Sequence, residues 1–386
     1  MNVAFIDRLP LKNWYSYELA EELGKLVHSS NGELYLLGPK NICSSSMRYS
    51  TNYKVLPAWT EIIFPIQLFK LLRNLRINKL HIQFEFVLFK SPLSLILLVL
   101  LIYLTKLLHI TVVVTLHGPF IKQGEMNKII PILAPENSAL FKIPLIVFMF
   151  LKTYYMILNH IVNKLIVHAE CFKRILEDYG IPENKISVIP HGIKINQENK
   201  TLSNPSHYFL YFGSIAPRNG LDLLLDSFSE IDADLNSLNL VVAGNVLNRY
   251  NDFLKKILIK NKSNDNIKFL GQISSSDLHK LFNDAECVIL PYRCSVSASG
   301  ILSDVIEHNK PVIVPSTEYF CEFLTDGENS TMVPPGDKAA LSSAILYLLK
   351  NPEIRQKFSK NIASLAEKYS WSNVAKKTYE IYTALN

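Results

Sequence analysis

YFLYFGS (Tyr208–Ser214) is the first of five short apolar runs that decide the fold. The others are LNLVVAGN (Leu238–Asn245), IKFLGQI (Ile267–Ile273), ECVILPY (Glu286–Tyr292) and KPVIVPS (Lys310–Ser316). Each run ends in a turn marked by glycine or proline, and helical patterns separate most of them. Short apolar strands that alternate with helices predict a parallel sheet covered on both faces. Ligands of such sheets bind at the carboxyl ends of the strands, so we expect functional residues in the loops that follow these runs.

The first half of the chain repeats this alternation. Its predicted strands are NVAFID (Asn2–Asp7), ELYLLG (Glu33–Gly38), KLHIQFEF (Lys79–Phe86), ITVVVTLHG (Ile110–Gly118), KLIVHAE (Lys164–Glu170) and KISVIPHGI (Lys185–Ile193). A length of 386 residues also favours two domains. Asn196–His207 lacks apolar periodicity, which is typical of a linker. We therefore place the first domain at residues 1–195, the second at 206–370 and a terminal helix at 371–386.

The composition narrows the class of protein. Hydrophobic residues make up 48% of the chain and charged residues only 19%, whereas about 25% charged is usual for a soluble domain. The formal net charge of +6 suits anionic membranes or phosphorylated substrates and is too small to indicate a nucleic acid partner. The five cysteines lack metal-ligand spacing, and the chain opens without a secretory signal. We expect reduced thiols in a cytoplasmic protein.

Two apolar segments raise the question of membrane contact. Leu93–Leu108 has 16 residues, about 24 Å as a helix, whereas a span needs roughly 20 apolar residues. Ile143–Val162 is long enough but contains Lys152, Asn159 and His160. We predict buried helices or helices that touch a membrane, and no span.

A basic ridge supports membrane contact. The predicted helix near Pro65–Asn78 and the residue after it carry Lys70, Arg73, Arg76 and Lys79 at three-residue steps. This ridge suits anionic lipid, and the alternative is a solvated helix face over the core. We expect a protein that binds peripherally to the cytosolic face of a membrane.

Several motifs resemble family 4 glycosyltransferases. In the second half they are FGSIAPRNGLDLLLDSF (Phe212–Phe228), VVAG, FLGQIS and ILPYRCSVSASGILSDVIEHNKPVI (Ile289–Ile313); in the first half, HIQFEF, TLHG and VIPHGI. The resemblance implies the GT-B architecture, in which two Rossmann-like α/β domains face a cleft and the C-terminal helix crosses back to the first domain. It also implies a retaining, metal-independent transferase with the nucleotide-sugar donor on the second domain and the acceptor on the first.

The resemblance assigns the donor-binding residues to loops of the second half. Ser299, Gly300 and Ile301 lie where a loop enters a helix, so free backbone N–H groups there suit a diphosphate. Asp304 takes the position that accepts hydrogen bonds from the ribose hydroxyls, for which a carboxylate offers two oxygens. Gly213 and Ser214 belong to the donor turn, and Phe269 and Gly271 resemble the loop that contacts the base. The simpler interpretation of Ser299–Asp304 is an ordinary turn that opens a helix.

The sequence departs from the family pattern at three positions. Val296 replaces the first acidic residue of the E-x7-E motif, and Ser214 and Asn219 replace the Arg and Lys of the donor turn. A leaving diphosphate needs cationic or N–H stabilisation. Arg218 is our candidate for that catalytic role, and Arg293 is a second candidate.

Polar residues of the first half complete the predicted site. His117 in TLHG matches the family histidine beside the transferred sugar. His81, Gln83 and Glu85 alternate along one strand, so they share a face and are acceptor candidates, or they line the cleft without binding. No cluster of metal ligands appears in the sequence, and we expect neither a metal nor a cofactor besides the donor.

These features predict a retaining hexosyltransferase. The donor would be a nucleoside diphosphate sugar, such as GDP-mannose or a UDP-sugar, and the acceptor a lipid-linked or glycan molecule. Two alternatives stay open: a catalytically silent subunit that supports a partner transferase, and a nucleotide-sugar epimerase of the same architecture. A dinucleotide dehydrogenase is disfavoured because no G-x-G-x-x-G motif follows Ile6 or Phe212.

Overall fold

Two parallel sheets organise the chain. The computed structural model describes residues 1–7, 14–40, 50–60, 63–86, 92–133, 143–195, 208–231, 238–262 and 264–385. The first sheet contains β1 (Val3–Ile6), β2 (Leu34–Pro39), β3 (Lys54–Trp59), β4 (Lys79–Phe84), β5 (Thr111–Leu116), β6 (Lys164–Val167) and β7 (Ile186–Val188). The second contains β8 (Tyr208–Phe212), β9 (Asn239–Ala243), β10 (Ile267–Gly271), β11 (Cys287–Ile289), β12 (Val312–Pro315) and β13 (Thr331–Val333). The predicted linker Asn196–His207 lies outside the described residues.

Both sheets have a doubly wound strand order. The first runs β3-β2-β1-β4-β5-β6-β7 and the second β10-β9-β8-β11-β12-β13. The order reverses between β1 and β4 in one sheet and between β8 and β11 in the other. Loops that leave neighbouring strands in opposite directions open a crevice at such a point, where ligands of this class of sheet bind. The loops after β8 and β11 and the helix that follows β11 contain the predicted donor residues Gly213, Ser214, Ser299, Gly300, Ile301 and Asp304.

Helices cover both faces of each sheet, because successive strand residues point to opposite sides. The helices are α1 (Trp14–Ser29), α2 (Phe64–Asn74), α3 (Pro92–Lys106), α4 (Met126–Leu133), α5 (Pro144–Ile161), α6 (Glu170–Asp178), α7 (Leu221–Glu230), α8 (Asn251–Lys260), α9 (Ser275–Asp284), α10 (Gly300–Glu307), α11 (Glu318–Phe323), α12 (Lys338–Lys350), α13 (Pro352–Lys368) and α14 (Trp371–Ala384). In β1, Val3 and Phe5 face a core with α1 and α14, whereas Ala4 and Ile6 face a core with α2, α3 and α5. The predicted α/β class is confirmed.

The terminal helix α14 packs against α1 of the first half of the chain. Its Trp371 N–H donates to the carbonyl of Ile193 (3.2 Å), and the Ile193 N–H donates to the carbonyl of Tyr369 (2.8 Å). Trp371 fits because residue 192 is glycine: a Cβ there would lie 2.2 Å from the indole ring. Helix α14 thus crosses from the second sheet back to the first.

The two halves also meet on the opposite side of the cleft. Lys122 and Arg174 of the first half form ion pairs with Glu318. The carboxylate of Glu322 accepts the backbone N–H of Glu170 (2.7 Å) at the start of α6. Anionic side chains suit the positive end of a helix. These contacts hold α11 against α6.

One detail of the predicted helices needs correction. The basic ridge does not continue into Lys79, which starts β4 and is buried, with Nζ bonded to Thr111 Oγ1 (3.2 Å) and to the carbonyl of Leu385 (2.9 Å). Among the described helices, α5 alone is long and apolar enough to cross a membrane by length and composition, with a mean hydropathy of 1.3, and 33% of that window is buried. One face of α5 therefore belongs to the core, as it does in a soluble domain.

The turn that follows β8 contains Gly220, and Gly327 elsewhere in the second domain serves as its control. Gly220 has φ of +71°, and a Cβ there would meet the carbonyl oxygen of Pro291 at 1.9 Å; Gly327 has φ of +70° with open space around it. An alanine in the left-handed region costs about 1–2 kcal/mol at either position. We expect Gly220→Ala to cost about 1–3 kcal/mol more than Gly327→Ala, because it also displaces the loop after β11. Urea unfolding of both variants measures the difference, and equal losses would contradict the contact with Pro291.

Candidate functional site

A cavity of about 320 Å³ lies between the two halves of the chain. The first half and the terminal helix contribute Tyr15, Glu18, His191, Gly192, Lys194 and Trp371; the second half contributes Phe212, Leu278, Gly300, Ile301, Ser303, Asp304 and Glu307. Three predicted donor residues, Gly300, Ile301 and Asp304, therefore lie together in the cleft. The start of α10 faces this gap.

The loop that opens α10 is held by hydrogen bonds behind the cavity. Ser299 is buried, its N–H donates to the hydroxyl of Tyr319 (3.0 Å), and its Oγ accepts the N–H of Leu302 (3.4 Å). Gly300 is exposed, and a Cβ at Gly213 would only touch the side chain of Ile301, at 3.4 Å. The backbone of two loops thus comes close together at the positive end of a helix. Such an end can bind an anion.

Asp304 is the ionisable group whose pKa is most altered in the cavity wall on the side of the second domain. Burial raises the pKa of its carboxyl to about 8, the nearby charge of Glu307 raises it further, and Lys194 opposes both effects. The surroundings of Asp304 therefore favour the protonated form of its carboxyl. A perturbed carboxyl in a cleft is a functional-site candidate.

A cluster of aromatic rings forms the opposite wall. The Tyr15 ring makes edge contacts with His117, His168, His191 and Trp371, with centroids between 5.0 and 5.3 Å away. Nδ1 of His191 lies 3.0 Å from Oγ of Ser303 on α10, which joins the two halves across the cavity. In the sequence, His168 and His191 could be noticed as polar residues near the ends of the predicted strand segments. No sequence pattern pointed to Tyr15, Trp371 or Ser303 as site residues.

His117 is held from both sides. The carbonyl of Ile189 accepts from Nδ1 of His168 (2.9 Å), so that nitrogen carries the proton and Nε2 of His168 is free to accept. Nδ1 of His117 lies 3.3 Å from this Nε2. Nε2 of His117 lies 2.8 Å from the side-chain oxygen of Gln83, which only accepts, so this nitrogen of His117 carries the proton. Burial lowers the pKa of His117 well below its usual value, and the neighbouring histidines lower it further. His117 is therefore a rigid, neutral ring at the cleft.

The predicted acceptor residues do not share one environment. His81 is wrong as an acceptor contact: it is fully buried, and its two nitrogens lie 2.5 Å from the hydroxyl of Tyr382 and 2.7 Å from Oγ1 of Thr115. The reason is that α14 covers this part of β4. Gln83 is also buried and orients His117. Glu85 lies beyond the end of β4 and is half-buried.

Glu85 and Arg218 bring the two domains together electrostatically. Burial raises the pKa of Glu85, and the positive charge of Arg218 partly offsets this rise. Arg218 also lowers the pKa of Tyr292 and Cys294, although burial keeps both above their usual values. No ion pair within 4.0 Å is found for Arg218 among the described ranges. Its guanidinium is therefore available to a ligand anion.

The residues at the departures from the family motif have structural roles. Arg293 is excluded as a free cation, because it forms a bidentate pair with Asp222 (2.8 and 2.9 Å). Asn219 donates from Nδ2 to the carbonyl of Ser214 (2.6 Å) and so fixes the donor turn, while Ser214 itself is exposed. Val296 is buried, and its carbonyl accepts the N–H of Phe120 (2.8 Å) from the first domain. At this position the structure has a backbone hydrogen bond between the domains, whereas the family motif has a carboxylate side chain.

The predicted base-contact residues lie outside the cleft cavity. Phe269 packs towards the core around α7 and α12, and it lines a separate groove of about 1120 Å³ at the β10 edge of the second sheet. Gly271 has φ of +66° and its carbonyl accepts the N–H of Gly244 (2.7 Å). Leu278 on α9 lines the cavity instead. Phe269 therefore lies outside this cavity, and its assignment as a base contact stays a prediction.

The tertiary structure also brings together three potential metal ligands. Their spacing along the sequence gave no sign of this, because His279 is distant from Glu307 and His308. Donor atoms of His279, Glu307 and His308 lie within 4.8 Å of one another. Our expectation that the chain has no ligand cluster is therefore wrong for the described residues.

Two family models match the chain, one in each half. The model described as Glycosyltransferase Family 4 matches residues 14–197, and the model described as Glycosyl transferases group 1 matches residues 193–364.

Individual relatives have low sequence identity to this chain. The phosphatidyl-myo-inositol mannosyltransferase of Mycobacterium leprae is 26% identical over 166 residues, which are 43% of each chain. The lipopolysaccharide 1,2-N-acetylglucosaminetransferase of Salmonella typhimurium is 25% identical over 234 residues, 56% of this chain and 61% of the relative. The chain thus spans about half the length of the curated relatives it matches.

Solved structures match over the whole fold. Anabaena HepE in complex with UDP and glucose superposes with a TM-score of 0.72 at 14% identity, covering 99% of both chains. WaaG, a glycosyltransferase involved in lipopolysaccharide biosynthesis, gives a TM-score of 0.67 at 13% identity and also covers 99% of both chains. The fold is GT-B, as the motifs predicted.

The raised pKa of Asp304 predicts a pH-dependent stability. The unfolded chain loses this proton near the ordinary value of 3.8 and the native chain only near 8, so this residue lowers the free energy of unfolding as pH rises between these values. We expect the stability of Asp304→Asn relative to the natural protein to increase between pH 5 and 8. Urea unfolding at both pH values measures it, with Asp252→Asn as an exposed control in the same domain. A difference independent of pH would contradict the raised pKa.

Proposed function

The chain belongs to the family 4 glycosyltransferases of GT-B fold, and on this premise we propose that it is a retaining hexosyltransferase. It moves a hexose from a nucleoside diphosphate sugar, such as GDP-mannose or a UDP-sugar, to a lipid-linked or glycan acceptor at the cytosolic face of a membrane. The observation that carries the proposal is the position of the α10 start and Asp304 in one interdomain cavity.

The donor proposal follows from three kinds of group in the cleft. Exposed backbone at Gly300 and Ile301 offers N–H donors and the positive helix end to a diphosphate. Asp304 offers two oxygens to the vicinal hydroxyls of a ribose. Arg218 supplies the cation that a diphosphate needs as negative charge develops on it. The relative HepE is described with UDP and glucose, and with UDP-glucose.

The reaction we propose uses the leaving group as base. The bond between the anomeric carbon and the diphosphate oxygen breaks, the acceptor hydroxyl oxygen attacks from the same face, and its proton passes to the departing phosphate. This scheme fits a cleft in which His191 lines the cavity and the neighbouring His117 has its Nε2 bonded to Gln83. Glu85, facing Arg218, is the remaining acceptor candidate. Besides the donor, the proposed chemistry needs no cofactor.

The alternative of a catalytically silent subunit rests on Val296, Ser214 and Asn219. In the structure, backbone contacts and turn-fixing hydrogen bonds occupy these positions. They leave Arg218 and the α10 start available, which favours an active enzyme. An epimerase would consume the donor without any acceptor and release an altered nucleotide sugar, so product analysis distinguishes it from a transferase.

A nucleotide-binding experiment tests the proposal. We expect one class among UDP- and GDP-sugars to raise the thermal unfolding midpoint, because a ligand that binds only the folded state stabilises it. Asp304→Ala should abolish this shift. Asp265→Ala, in the larger groove at the β10 edge, should retain it.

Comparison of the two variants shows which of the two cavities binds the nucleotide. A shift lost in Asp265→Ala and kept in Asp304→Ala would place the nucleotide in the outer groove and overturn the proposed site. Absence of any shift with all donors would favour the silent subunit.

Membrane contact is supported by apolar side chains that face away from the core. On α3 and the turn after it, Leu93, Ile96, Leu100, Tyr103 and Leu107 are exposed at helical spacing, with Ile96 at 65% and Leu107 at 69%. On the neighbouring α5, the exposed set is Leu145, Ile146, Met149, Phe150, Met156 and Ile157. Two adjacent helices with outward apolar stripes form a large patch of the kind that marks an interaction surface.

The charge beside this patch favours a lipid surface as its partner. Helix α2 packs against α3 and carries exposed Lys70 and Arg73, and Arg76 follows it. Cations beside an apolar face are attracted to anionic headgroups while the apolar side chains enter the acyl boundary. The relative from Mycobacterium leprae is named for a phosphatidyl-inositol acceptor. We therefore propose that the acceptor half lies on the bilayer.

Vesicle flotation tests this surface. Each apolar side chain that leaves water contributes about 1.5–3 kcal/mol, so we expect Ile96→Ser with Leu100→Ser to weaken binding to phosphatidylglycerol-containing vesicles by about tenfold or more. Ile259→Ser, at a residue 77% exposed on α8 of the other domain, is the matched control. Equal binding by all three proteins would contradict membrane contact through α3.

A further inference from the structure

Two histidines from different helices of the second domain face each other beside the cleft. Nδ1 of His279 on α9 lies 3.0 Å from Nε2 of His308, which follows α10. The carboxylate of Glu307 lies within 4.8 Å of both. Two nitrogens that bind one zinc ion at about 2.0–2.1 Å are roughly 3.3 Å apart in tetrahedral geometry. A shift of a few tenths of an ångström would admit the ion.

The proton on His308 is placed as a metal ligand requires. Nδ1 of His308 bonds to the carbonyl oxygen of Asp304 at 2.7 Å. A carbonyl only accepts, so Nδ1 carries the hydrogen and the lone pair of Nε2 points towards His279. Ligating histidines commonly donate their second N–H to a carbonyl in this way. The ring also stacks on Phe282, with centroids 4.9 Å apart and 28° between planes, which fixes its direction.

The surroundings favour a cation that enters from solvent. The group lies at the carboxyl end of α10, where the helix dipole is negative, and Glu307 adds a formal negative charge. His308 is buried, Glu307 is half-buried and His279 is exposed. The site is thus enclosed on the side of His308 and open to solvent on the side of His279.

From this arrangement we propose that His279, Glu307 and His308 bind a divalent transition-metal ion of the zinc class. Two imidazoles and one carboxylate form a donor set typical of zinc, and imidazole disfavours magnesium and calcium. Glu307 and Leu278, the neighbour of His279, line the donor cavity. The ion ties α9 to α10 and thereby fixes the wall that carries Asp304. The role is structural, and transfer of the sugar does not pass through the metal.

The test uses the full chain, freed of metal with a chelator and dialysed. Zinc titration by calorimetry should give one ion per chain, and zinc should raise the thermal midpoint. His279→Gln and Glu307→Gln should each weaken the affinity by about tenfold or more, in line with the sensitivity of metal sites to their surrounding residues. His279 is exposed, so its substitution leaves the core intact. His28→Gln, an exposed histidine at the end of α1, is the matched control and should bind as the natural protein does.

Cobalt gives an independent readout. The natural protein and His28→Gln should show the visible absorption bands of low-coordinate Co²⁺, and His279→Gln should lose them. The proposal is overturned if His279→Gln binds zinc with unchanged affinity, or if the natural protein binds none. These outcomes are read without nucleotide, so they are independent of the proposed transferase activity.

Discussion

The packing of the terminal helix onto the first domain is the constraint on which the cleft depends. Helix α14 leaves the second domain, inserts Trp371 over Gly192 and ends with Tyr382 against His81. A side chain at residue 192 would collide with the indole ring, so the close approach requires glycine. The same tryptophan forms part of the cavity wall. One helix thus sets the distance between the domains and supplies a surface of the site.

Burial favours the neutral form of several groups in and beside the cleft, whereas Glu18 and Lys194 of the cavity wall form an ion pair at 2.7 Å. Burial lowers the pKa of His168 to about 3 and that of His191 to about 4, and raises that of Asp304. The two kinds of group act on stability in opposite directions. The buried histidines reduce the free energy of unfolding as pH falls below about 6.5, because the unfolded chain takes up their protons, whereas Asp304 reduces it as pH rises.

The departures from the family motifs become understandable in this setting. Val296 has no carboxylate, and its backbone carbonyl accepts the N–H of Phe120 from the first domain. Asn219 gives up a positive charge and holds the donor turn, and Arg293 is occupied by Asp222. Arg218 is then the cation that remains beside Glu85. The proposed donor site therefore relies on Arg218 and on the backbone at the start of α10, and not on the charged residues of the family motif.

The sequence by itself determined the fold class, most of the strands and the position of α10, because apolar periodicity and strand-end loops are local properties of the chain. It also singled out Gly300, Ile301 and Asp304, which lie close together in one loop and the helix after it and which line the interdomain cavity. Only the tertiary structure decided the surroundings of His81, Lys79 and Phe269, which depend on elements far away in sequence. Tyr382 of α14 contacts His81, Leu385 just after this helix contacts Lys79, and Phe269 packs towards the core around α7 and α12. The same holds for the cluster around Tyr15 and for His279 with His308. Contacts between helices that are remote along the chain create such sites, and no pattern within one segment records them.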